Sequence, residues 1–351
     1  MNSRERMLAV INHQVPDRIP TDIWAVPEVR QKLQDHFGQG ADVAAALHID
    51  GIPGVGPRYV GPALPEVGQD QTIDIWHTRR RRIRYSTGEY WEMFANPMAE
   101  ARTIDDLEKC HWVRADWFDY SQMRPAAERL RQTHAVQCGY MAPFTYHIYL
   151  RGLETALMDP LVEPELTRHL LGRLCDFFYE HHRRMFQACE GLIDAAQVTD
   201  DYGMQTGPLM SLRVFREFYR PHLQRFIDLA HEFGIKVFHH DDGAIRQFIP
   251  DLVEMGIDIL NPIQWRCPGM EIEGLKRDFG KRLCFHGGMD NQRTLPFGRE
   301  QDVRAEVRRL IDVLASDRTG YVLAPCHNIQ ANTPVENILA MYDEVYHYGR
   351  F

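Results

Sequence analysis

The sequence predicts an α/β protein, a single (β/α)8 TIM barrel over residues 1–351 with an inserted β-hairpin near residues 71–94. From about residue 130 onward, short apolar runs alternate with long amphipathic segments, which indicates parallel strands joined by helices. Several helical segments end in a glycine just before the next apolar run, as helices that pass into strands do: Gly191, Gly234, Gly256 and Gly280. One barrel takes about 250 residues plus insertions, so the chain is long enough for it.

Eight segments are candidates for the barrel strands. RIPTDIWA (18–25) and HIDGIPGVG (48–56) supply the first two, and six further apolar runs begin near residues 135, 192, 235, 257, 282 and 320. Between strands two and three, residues 71–94 alternate in polarity and are rich in β-forming residues, with Thr87 and Gly88 between two such runs. The arginine run 79–82 is either a solvated strand edge or a group that reaches over the barrel mouth to bind an anion.

The composition argues against several classes of protein. A formal net charge of -9 disfavours a nucleic-acid partner, which needs a basic surface. The N-terminal sequence MNSRERMLAVINHQ has the pattern of an amphipathic helix rather than a signal peptide, and no stretch approaches the ~18–20 apolar residues of a membrane span. The 7 cysteines are scattered without a CxxC motif, which predicts free thiols in a reducing cytoplasm.

Polar residues collect at the C-terminal ends of the predicted strands, where barrel enzymes build their active sites. The residues at these ends include Trp24, Asp50, Tyr140, Asp200, Asp201, Tyr202, His240, Asp242, Gln264, Asp290, Cys326, His327 and Asn328. Any single one of them can instead cap the helix that follows. So many on one rim indicate metal binding, proton transfer or a polyhydroxylated substrate, because isolated polar groups are costly to bury.

Two strand ends form a candidate metal site. His240 and Asp242 are separated by one residue, so both side chains point the same way if the strand persists. Cys326 and His327 follow the last strand, and thiolate and imidazole are both zinc ligands. We expect His240, Asp242 and the Cys326–His327 pair to hold a divalent ion with one position open for substrate. The alternatives are a metal-free polar pocket and, for Cys326, a small buried thiol.

Several stretches resemble the uroporphyrinogen decarboxylase superfamily, and the resemblance covers nearly the whole chain. It rests on MNSRERMLAVINHQVPDRIPTDIW at the start, on DYGMQTGPLMSLRVFREFYRPHLQRFIDLAHEFGIKVFHHDDG in the middle, and on GGMDNQRTLPFG and APCHNIQANTPVENILAMYDEV near the end. The resemblance implies the barrel fold. It also implies an activity related to those of the superfamily, which includes the haem-pathway decarboxylase, zinc-dependent methyltransferases that use corrinoid or thiol methyl carriers, and members of unknown activity.

The chain departs from the family pattern at two places. The Arg-rich segment with which the decarboxylases grip substrate carboxylates is replaced by residues 24–28, WAVPE, which argues against uroporphyrinogen as the substrate. The methyltransferases carry an H-x-C pair near residue 240 and a further cysteine near the last strand. Here His240 matches the histidine, Asp242 replaces the cysteine, and the last ligand falls at Cys326 or His327. These donors are harder than thiolates and suit zinc or another divalent ion.

From this resemblance we expect an enzyme, a methyltransferase or demethylase that acts on a small methylated substrate with metal assistance. Asp200, Asp201 and Tyr202 would orient the substrate or handle protons. The expected substrate-binding residues are Trp24, Arg58, Tyr140, Arg151, Gln205, Gln264, Asp290 and Asn328. A corrinoid or a folate would carry the methyl group, and a corrinoid protein and a second copy of the chain are the candidate partners.

Two other functions stay open at this point. The first is a cofactor-free decarboxylase or lyase, in which Asp50 stabilises a cationic intermediate and Arg58 or Arg151 holds a carboxylate. The second is a barrel without catalysis that binds a corrinoid or a tetrapyrrole. The metal content of the purified protein would separate metal-assisted methyl transfer from both.

Overall fold

The computed structural model describes residues 1–85 and 88–351. Its helices are α1 (Ser3–Ile11), α2 (Pro27–Phe37), α3 (Val43–Ala46), α4 (Ile104–Glu108), α5 (Met123–Leu130), α6 (Pro143–Arg151), α7 (Leu153–Val162), α8 (Pro164–Ala188), α9 (Leu212–Val214), α10 (Arg220–Glu232), α11 (Ile249–Met255), α12 (Ile272–Phe279), α13 (Thr294–Phe297), α14 (Glu300–Leu314) and α15 (Val335–Tyr348). Its strands are β1 (Gly54–Val55), β2 (Arg58–Tyr59), β3 (Gln71–Ile73), β4 (Arg79–Tyr85), β5 (Gly88–Ala95), β6 (Phe118–Asp119), β7 (Gln137–Met141), β8 (Ala195–Val198), β9 (Lys236–His240), β10 (Ile259–Asn261), β11 (Cys284–His286) and β12 (Tyr321–Val322).

Seven strands form one curled parallel sheet, in the order β1-β7-β8-β9-β10-β11-β12. In its centre, Ile259 lies opposite Phe238 on one neighbouring strand and opposite Cys284 on the other. The residues of the central strands are largely buried, as expected when helices cover one face of a parallel sheet and side chains fill the other. The main hydrophobic core is built from buried residues spread along the sequence between Ile19 and Val345. The arrangement is that of a TIM-barrel-like α/β fold.

The predicted first strand is an extended segment rather than a regular strand. Thr21 and Ala25 form single parallel bridges with the chain near β12, and the Thr21 carbonyl accepts hydrogen bonds from the amides of Asp50 and Gly51 at 3.0 Å. A longer ladder fails because Pro20 has no N–H and because the Asp22 side chain takes the following amide. The structure therefore corrects the expected eight regular strands to seven plus this bridging segment.

Helix α1 covers the N-terminal end of the sheet. Its residues Met7, Val10 and Ile11 pack with Phe238 and Val322 from the strands. This apolar contact closes the end of the sheet away from the strand C-termini. The C-terminal ends of the strands consequently form the open mouth of the fold.

The segment 71–95 folds into a separate antiparallel sheet of β3, β4 and β5. The predicted turn includes Thr87, which lies outside the described residues. Within β4, Arg80 pairs with Asp74 and lies 5.0 Å from the centre of the Tyr149 ring. The Arg81 side chain, by contrast, is 56% exposed. The arginine run therefore divides between a contact with the body of the protein and a solvated strand edge.

All seven cysteines carry free thiols. Among the residues that the structure describes, every helix falls short of the length and apolarity of a bilayer span.

Candidate functional site

Three potential metal ligands converge at the mouth. His240 ends β9, Asp242 follows it by two residues, and His327 lies just beyond the last strand. The His240 Nε2 and His327 Nε2 atoms each lie 3.9 Å from Asp242 Oδ2. The three donor atoms all lie within 4.8 Å of one another. The sequence expectation that these strand ends meet therefore agrees with the geometry, with His327 as the third member.

Cys326 does not join these three residues. Its thiol is buried and donates a hydrogen bond to the Ile263 carbonyl at 3.3 Å. Burial raises the pKa of this thiol well above its ordinary value. The chain bends at Cys326 and His327 after the last strand has ended, and the loop turns His327 toward the mouth and Cys326 away from it. The expectation that Cys326 shares the ligand cluster is corrected in favour of a small buried thiol.

A chain of hydrogen bonds determines which nitrogen of His240 is available. The Asn261 amide nitrogen lies 2.8 Å from His286 Nδ1 and 3.3 Å from the His286 carbonyl, which can only accept. The Asn261 Oδ1 atom must then accept from His240 Nδ1, at 2.6 Å. With Nδ1 protonated, the Nε2 atom of His240 keeps its lone pair for a ligand. His286 in turn donates from Nε2 to Asp22 Oδ2 at 3.2 Å, which ends the chain on a carboxylate.

Gln264 fixes the orientation of Asp242. Its amide nitrogen donates to Asp242 Oδ1 at 3.1 Å, which leaves Oδ2 toward the two histidines. Its carbonyl oxygen accepts from the Gly243 amide at 2.8 Å and from Gln205 at 2.9 Å. Gly243 has a φ of 86°, and a Cβ atom there would lie 2.6 Å from the Met204 carbonyl oxygen. The tight turn after Asp242 therefore requires glycine.

Asp201 adds a second carboxylate beside the cluster. Its side chain is 45% exposed, and Oδ1 lies 3.7 Å from His240 Nε2. The same oxygen accepts from the Asp242 amide at 3.2 Å. Tyr140, at the end of β7, is 42% exposed on the same rim, and burial of its hydroxyl together with the neighbouring Tyr149 raises its pKa. Asp201 and Tyr140 thus both present partly exposed polar side chains at this rim.

Asp200 and Tyr202 lie beneath the mouth. Asp200 is buried and accepts hydrogen bonds from the Phe144 and Thr145 amides at the start of α6, at 2.8 and 2.7 Å. The hydroxyl of the fully buried Tyr202 donates to the same carboxylate at 2.8 Å. Burial raises the pKa of Asp200 to about 7. Both side chains are hydrogen-bonded within the fold, and the expectation that they orient the substrate or handle protons stays a prediction.

Trp24 lies against both histidines. The centre of its indole ring is 5.3 Å from the His240 ring and 6.3 Å from the His327 ring. Its Nε1–H donates to Asp22 Oδ2 at 3.1 Å. Trp24 therefore forms a wall of the site, in agreement with its expected position at the mouth.

Asp50 lies away from the mouth. Its buried carboxylate forms ion pairs with Arg6 of α1 and with Arg18, the latter at 2.9 Å. Because α1 covers the N-terminal end of the sheet, this cluster lies at the opposite end from His240. Asp50 is corrected from a catalytic candidate to a structural ion pair.

The two arginines expected to grip a carboxylate are also placed elsewhere. Arg151 is buried and pairs with Asp159 at 2.8 Å, and it donates to the carbonyls of Met98 and Ala101. Arg58 lies on β2 with its side chain 73% exposed and pairs with an aspartate of β6. Neither guanidinium joins the histidine cluster.

The two remaining candidates lie beside the last strands. Asp290 pairs with Arg266 and accepts from the Gln292 amide at 2.8 Å, which uses its carboxylate at the start of α13. Asn328 is half-buried next to His327, and its carbonyl accepts from Asn291 at 3.3 Å. Asp290 also lines a cavity with Gln205 and Gln264, so its expected contact with substrate stays a prediction, as does that of Asn328 at the rim.

Three residues of the site were not among the expected ligands: Asp22, Asn261 and His286. Asn261 lies opposite His240 on the neighbouring strand, and both Asn261 and His286 end predicted strands. Their position at strand ends was a usable signal. Asp22 was harder to identify, because the residue to which it hydrogen-bonds, His286, is far from it in the sequence.

Comparison with known proteins supplies the family. A family model described as uroporphyrinogen decarboxylase (URO-D) matches residues 82–348. The uroporphyrinogen decarboxylase of Solibacter usitatus (strain Ellin6076) is 25% identical over 274 residues, which cover 75% of this chain and 73% of that protein. A methyltransferase from Methanosarcina mazei has the same fold, with a TM-score of 0.65, 17% identity and 99% of each chain covered. The chain belongs to the uroporphyrinogen decarboxylase family.

Proposed function

We propose that this protein is a metal-assisted methyltransferase or demethylase that acts on a small methylated substrate. The convergence of His240, Asp242 and His327 at the mouth carries the proposal, because their donor atoms lie within 4.8 Å of one another. The structural neighbour from Methanosarcina mazei is itself described as a methyltransferase. That likeness supports the fold, and the donor set supports the chemistry.

The donor set fits a divalent ion. Two imidazoles and one carboxylate are common ligands of zinc and of other divalent transition metals, and three protein ligands leave a position for substrate. The 3.9 Å separations from Asp242 Oδ2 are too long for hydrogen bonds, so the three groups are not already satisfied by one another. The Nε2 lone pair of His240 is directed into this space by the Asn261 contact. We propose Zn²⁺ or a related ion at this position.

The residues around the donors have distinct tasks in this proposal. A bound ion would supply Lewis acidity and activate the methyl donor or the acceptor. Asn261 holds the His240 ring, and Gln264 holds Asp242, so that both ligands keep their orientation. Asp201 is the half-exposed carboxylate beside the donors and takes or returns a proton. Tyr140 and Asn328 on the rim position the substrate by hydrogen bonds.

The methyl carrier in this proposal is a corrinoid or a folate, delivered by a partner such as a corrinoid protein. The carboxy-lyase alternative is less favoured, although the Solibacter usitatus relative is described as a decarboxylase. The groups expected to serve it, Asp50, Arg58 and Arg151, all pair with other residues away from the histidine cluster. In a cofactor-free reaction the cluster would serve only as a polar pocket that hydrogen-bonds the substrate.

Two adjacent variants test the proposal. His327→Ala should lose bound metal and methyl transfer together, whereas Cys326→Ser should retain both, because only His327 contributes a donor. Metal content is measured by elemental analysis after purification without a histidine tag, and methyl transfer by the fate of a labelled methyl group. A wild-type protein that is fully active without metal would refute the proposal, as would metal binding that depends on Cys326 and not on His327.

A further inference from the structure

A cavity of about 420 Å³ opens where the extended segment 18–25, the predicted first strand, passes Asp50 and Gly51. We call it the seam cavity because it lies between two chain segments that are connected by the hydrogen bonds from the Asp50 and Gly51 amides to the Thr21 carbonyl. Its volume lies within the ~300–1,000 Å³ of small-molecule sites. The seam cavity is lined by Asp22, Trp24, Ile52 and Phe238 on the inside and reaches Ala44 and Arg30 on the outside.

The inner end of the seam cavity carries a negative charge. Burial works to raise the pKa of Asp22, but the hydrogen bond and the charge of His286, together with the hydrogen bonds from Ile23 and Trp24, outweigh it and hold the pKa below its ordinary value. The carboxylate is therefore ionised at neutral pH. Of the other charged groups that line the cavity, Arg30 lies at its exposed rim and Asp50 is neutralised by its arginine partners.

Two aromatic rings accompany this carboxylate. Trp24 and Phe238 both line the cavity, with ring centres 6.2 Å apart and an interplanar angle of 29°. A cation is attracted to the face of an aromatic ring, most strongly to tryptophan, and such sites recognise quaternary ammonium groups. An ionised carboxylate beside an indole and a phenyl ring favours a weakly hydrated organic cation over a neutral or anionic guest.

The seam cavity adjoins the candidate metal cluster through Trp24. The same indole lies 5.3 Å from the His240 ring and 6.3 Å from the His327 ring. A guest in the cavity is thus separated from the ligand cluster by no more than one side chain. Reacting atoms must approach to about 3–3.5 Å, so transfer of a methyl group from this guest to the cluster requires the Trp24 ring to move aside.

We propose that the seam cavity binds a methylated ammonium group, with Asp22 and Trp24 as its recognition elements. This assignment rests on the proposed methyl transfer for its biological purpose. It names the substrate class of that reaction as small N-methylated cations. The binding itself needs neither metal nor turnover, and can be measured separately.

A pair of ligands of the same shape tests the proposal. Choline and 3,3-dimethylbutan-1-ol differ in the replacement of a quaternary nitrogen by carbon, so that only the charge changes. Titration calorimetry on the full-length protein as purified should show choline binding about tenfold or more tightly than its neutral isostere. Equal affinity for both, or binding of neither, would overturn the assignment.

Matched variants locate the binding. Ala44 and Ala45 are neighbours on the exposed helix α3, and only Ala44 lines the seam cavity. Ala44→Trp should abolish choline binding, while Ala45→Trp should leave it unchanged. Asp22→Asn should reduce the preference for choline over the isostere, with circular dichroism confirming the fold. Choline binding that persists in Ala44→Trp would place the site elsewhere and overturn the proposal.

Failure of the cavity assignment and failure of the proposed methyl transfer would give different experimental results. If choline binds in the cavity but no methyl group is transferred by the metal-loaded protein, methyl transfer fails as the function and the binding site stands. If methyl transfer is found with uncharged substrates and choline does not bind, the cavity assignment fails and methyl transfer stands.

Discussion

Asn261 Oδ1 lies 2.6 Å from His240 Nδ1, and the register of β9 and β10 places these two residues directly opposite each other. The contact ties the ring orientation of a potential ligand to the backbone of the sheet. Because the other end of the same amide is held by His286, the amide cannot turn over without losing both bonds. The site is therefore oriented before any ligand arrives.

Removal of the Asn261 amide should weaken metal binding. In Asn261→Leu the His240 ring is free to rotate and to change tautomer, and changes to such supporting residues typically cost 10–100-fold in metal affinity. Asn261→Asp keeps an acceptor for His240 Nδ1–H and should lose less. Chelator competition measures both affinities. Equal affinities in wild type and Asn261→Leu would contradict this account of the contact.

Replacement of Asp50 should change stability and spare activity. Asp50→Asn leaves Arg6 and Arg18 without their buried counter-charge, and breaking such a pair costs about 3–5 kcal/mol. The free energy of unfolding, from urea titration, should fall accordingly, while methyl transfer per folded molecule stays near wild type. Asp17→Asn, which removes the more exposed partner of Arg6, is the control and should cost less. A selective loss of activity in folded Asp50→Asn would restore Asp50 as a catalytic residue.

Much of the fold could be predicted from the sequence, and the missing part has a local cause. The alternation of apolar runs and amphipathic segments after residue 130 corresponds to strands β7 to β12. The first predicted strand did not form a regular ladder, because Pro20 lacks a donor and Asp22 bonds to its own neighbour. Apolar pattern alone cannot reveal such competition for backbone hydrogen bonds.

The candidate site could be predicted at the level of strand ends but not of single side chains. The one-residue spacing of His240 and Asp242 predicted that both would reach the cluster, but β9 ends at His240, so the contact with Gln264 and not the strand orients Asp242. For Asp200 and Asp201, and for Cys326 and His327, the chain has already left the regular strand, so its direction depends on the loop. In each pair one side chain reaches the mouth and the other is buried. Arg151 was misjudged because its partner Asp159 lies on α7, outside any strand-end pattern.

The buried carboxylate of Asp200 should give the protein a characteristic pH dependence. Its folded-state pKa of about 7 lies above the ordinary value for aspartate, so the neutral form is the favoured one in the fold. The corresponding stability is present below the unfolded-state pKa and is lost as the pH rises through about 7, by up to ~4 kcal/mol. In Asp200→Asn this loss should be absent. Urea titrations from pH 4 to pH 8 give the free energy of unfolding of both proteins. If this free energy changes with pH in the same way in wild type and in Asp200→Asn, the pKa of Asp200 is not raised.

Gln264 should affect metal affinity through its hydrogen bond to Asp242. In Gln264→Glu, an oxygen still accepts from the Gly243 amide, but a second carboxylate oxygen now lies where the amide nitrogen had donated to Asp242 Oδ1. Like charges at this distance repel and turn the Asp242 side chain away from the histidines. We expect a loss of metal affinity of about tenfold or more, measured by chelator competition. Gln205→Leu removes only the outer hydrogen bond to Gln264 and should have a smaller effect. If the two variants weaken metal binding equally, Gln264 acts by packing rather than by holding Asp242 Oδ1, and the orientation of Asp242 must be set by its own backbone turn at Gly243.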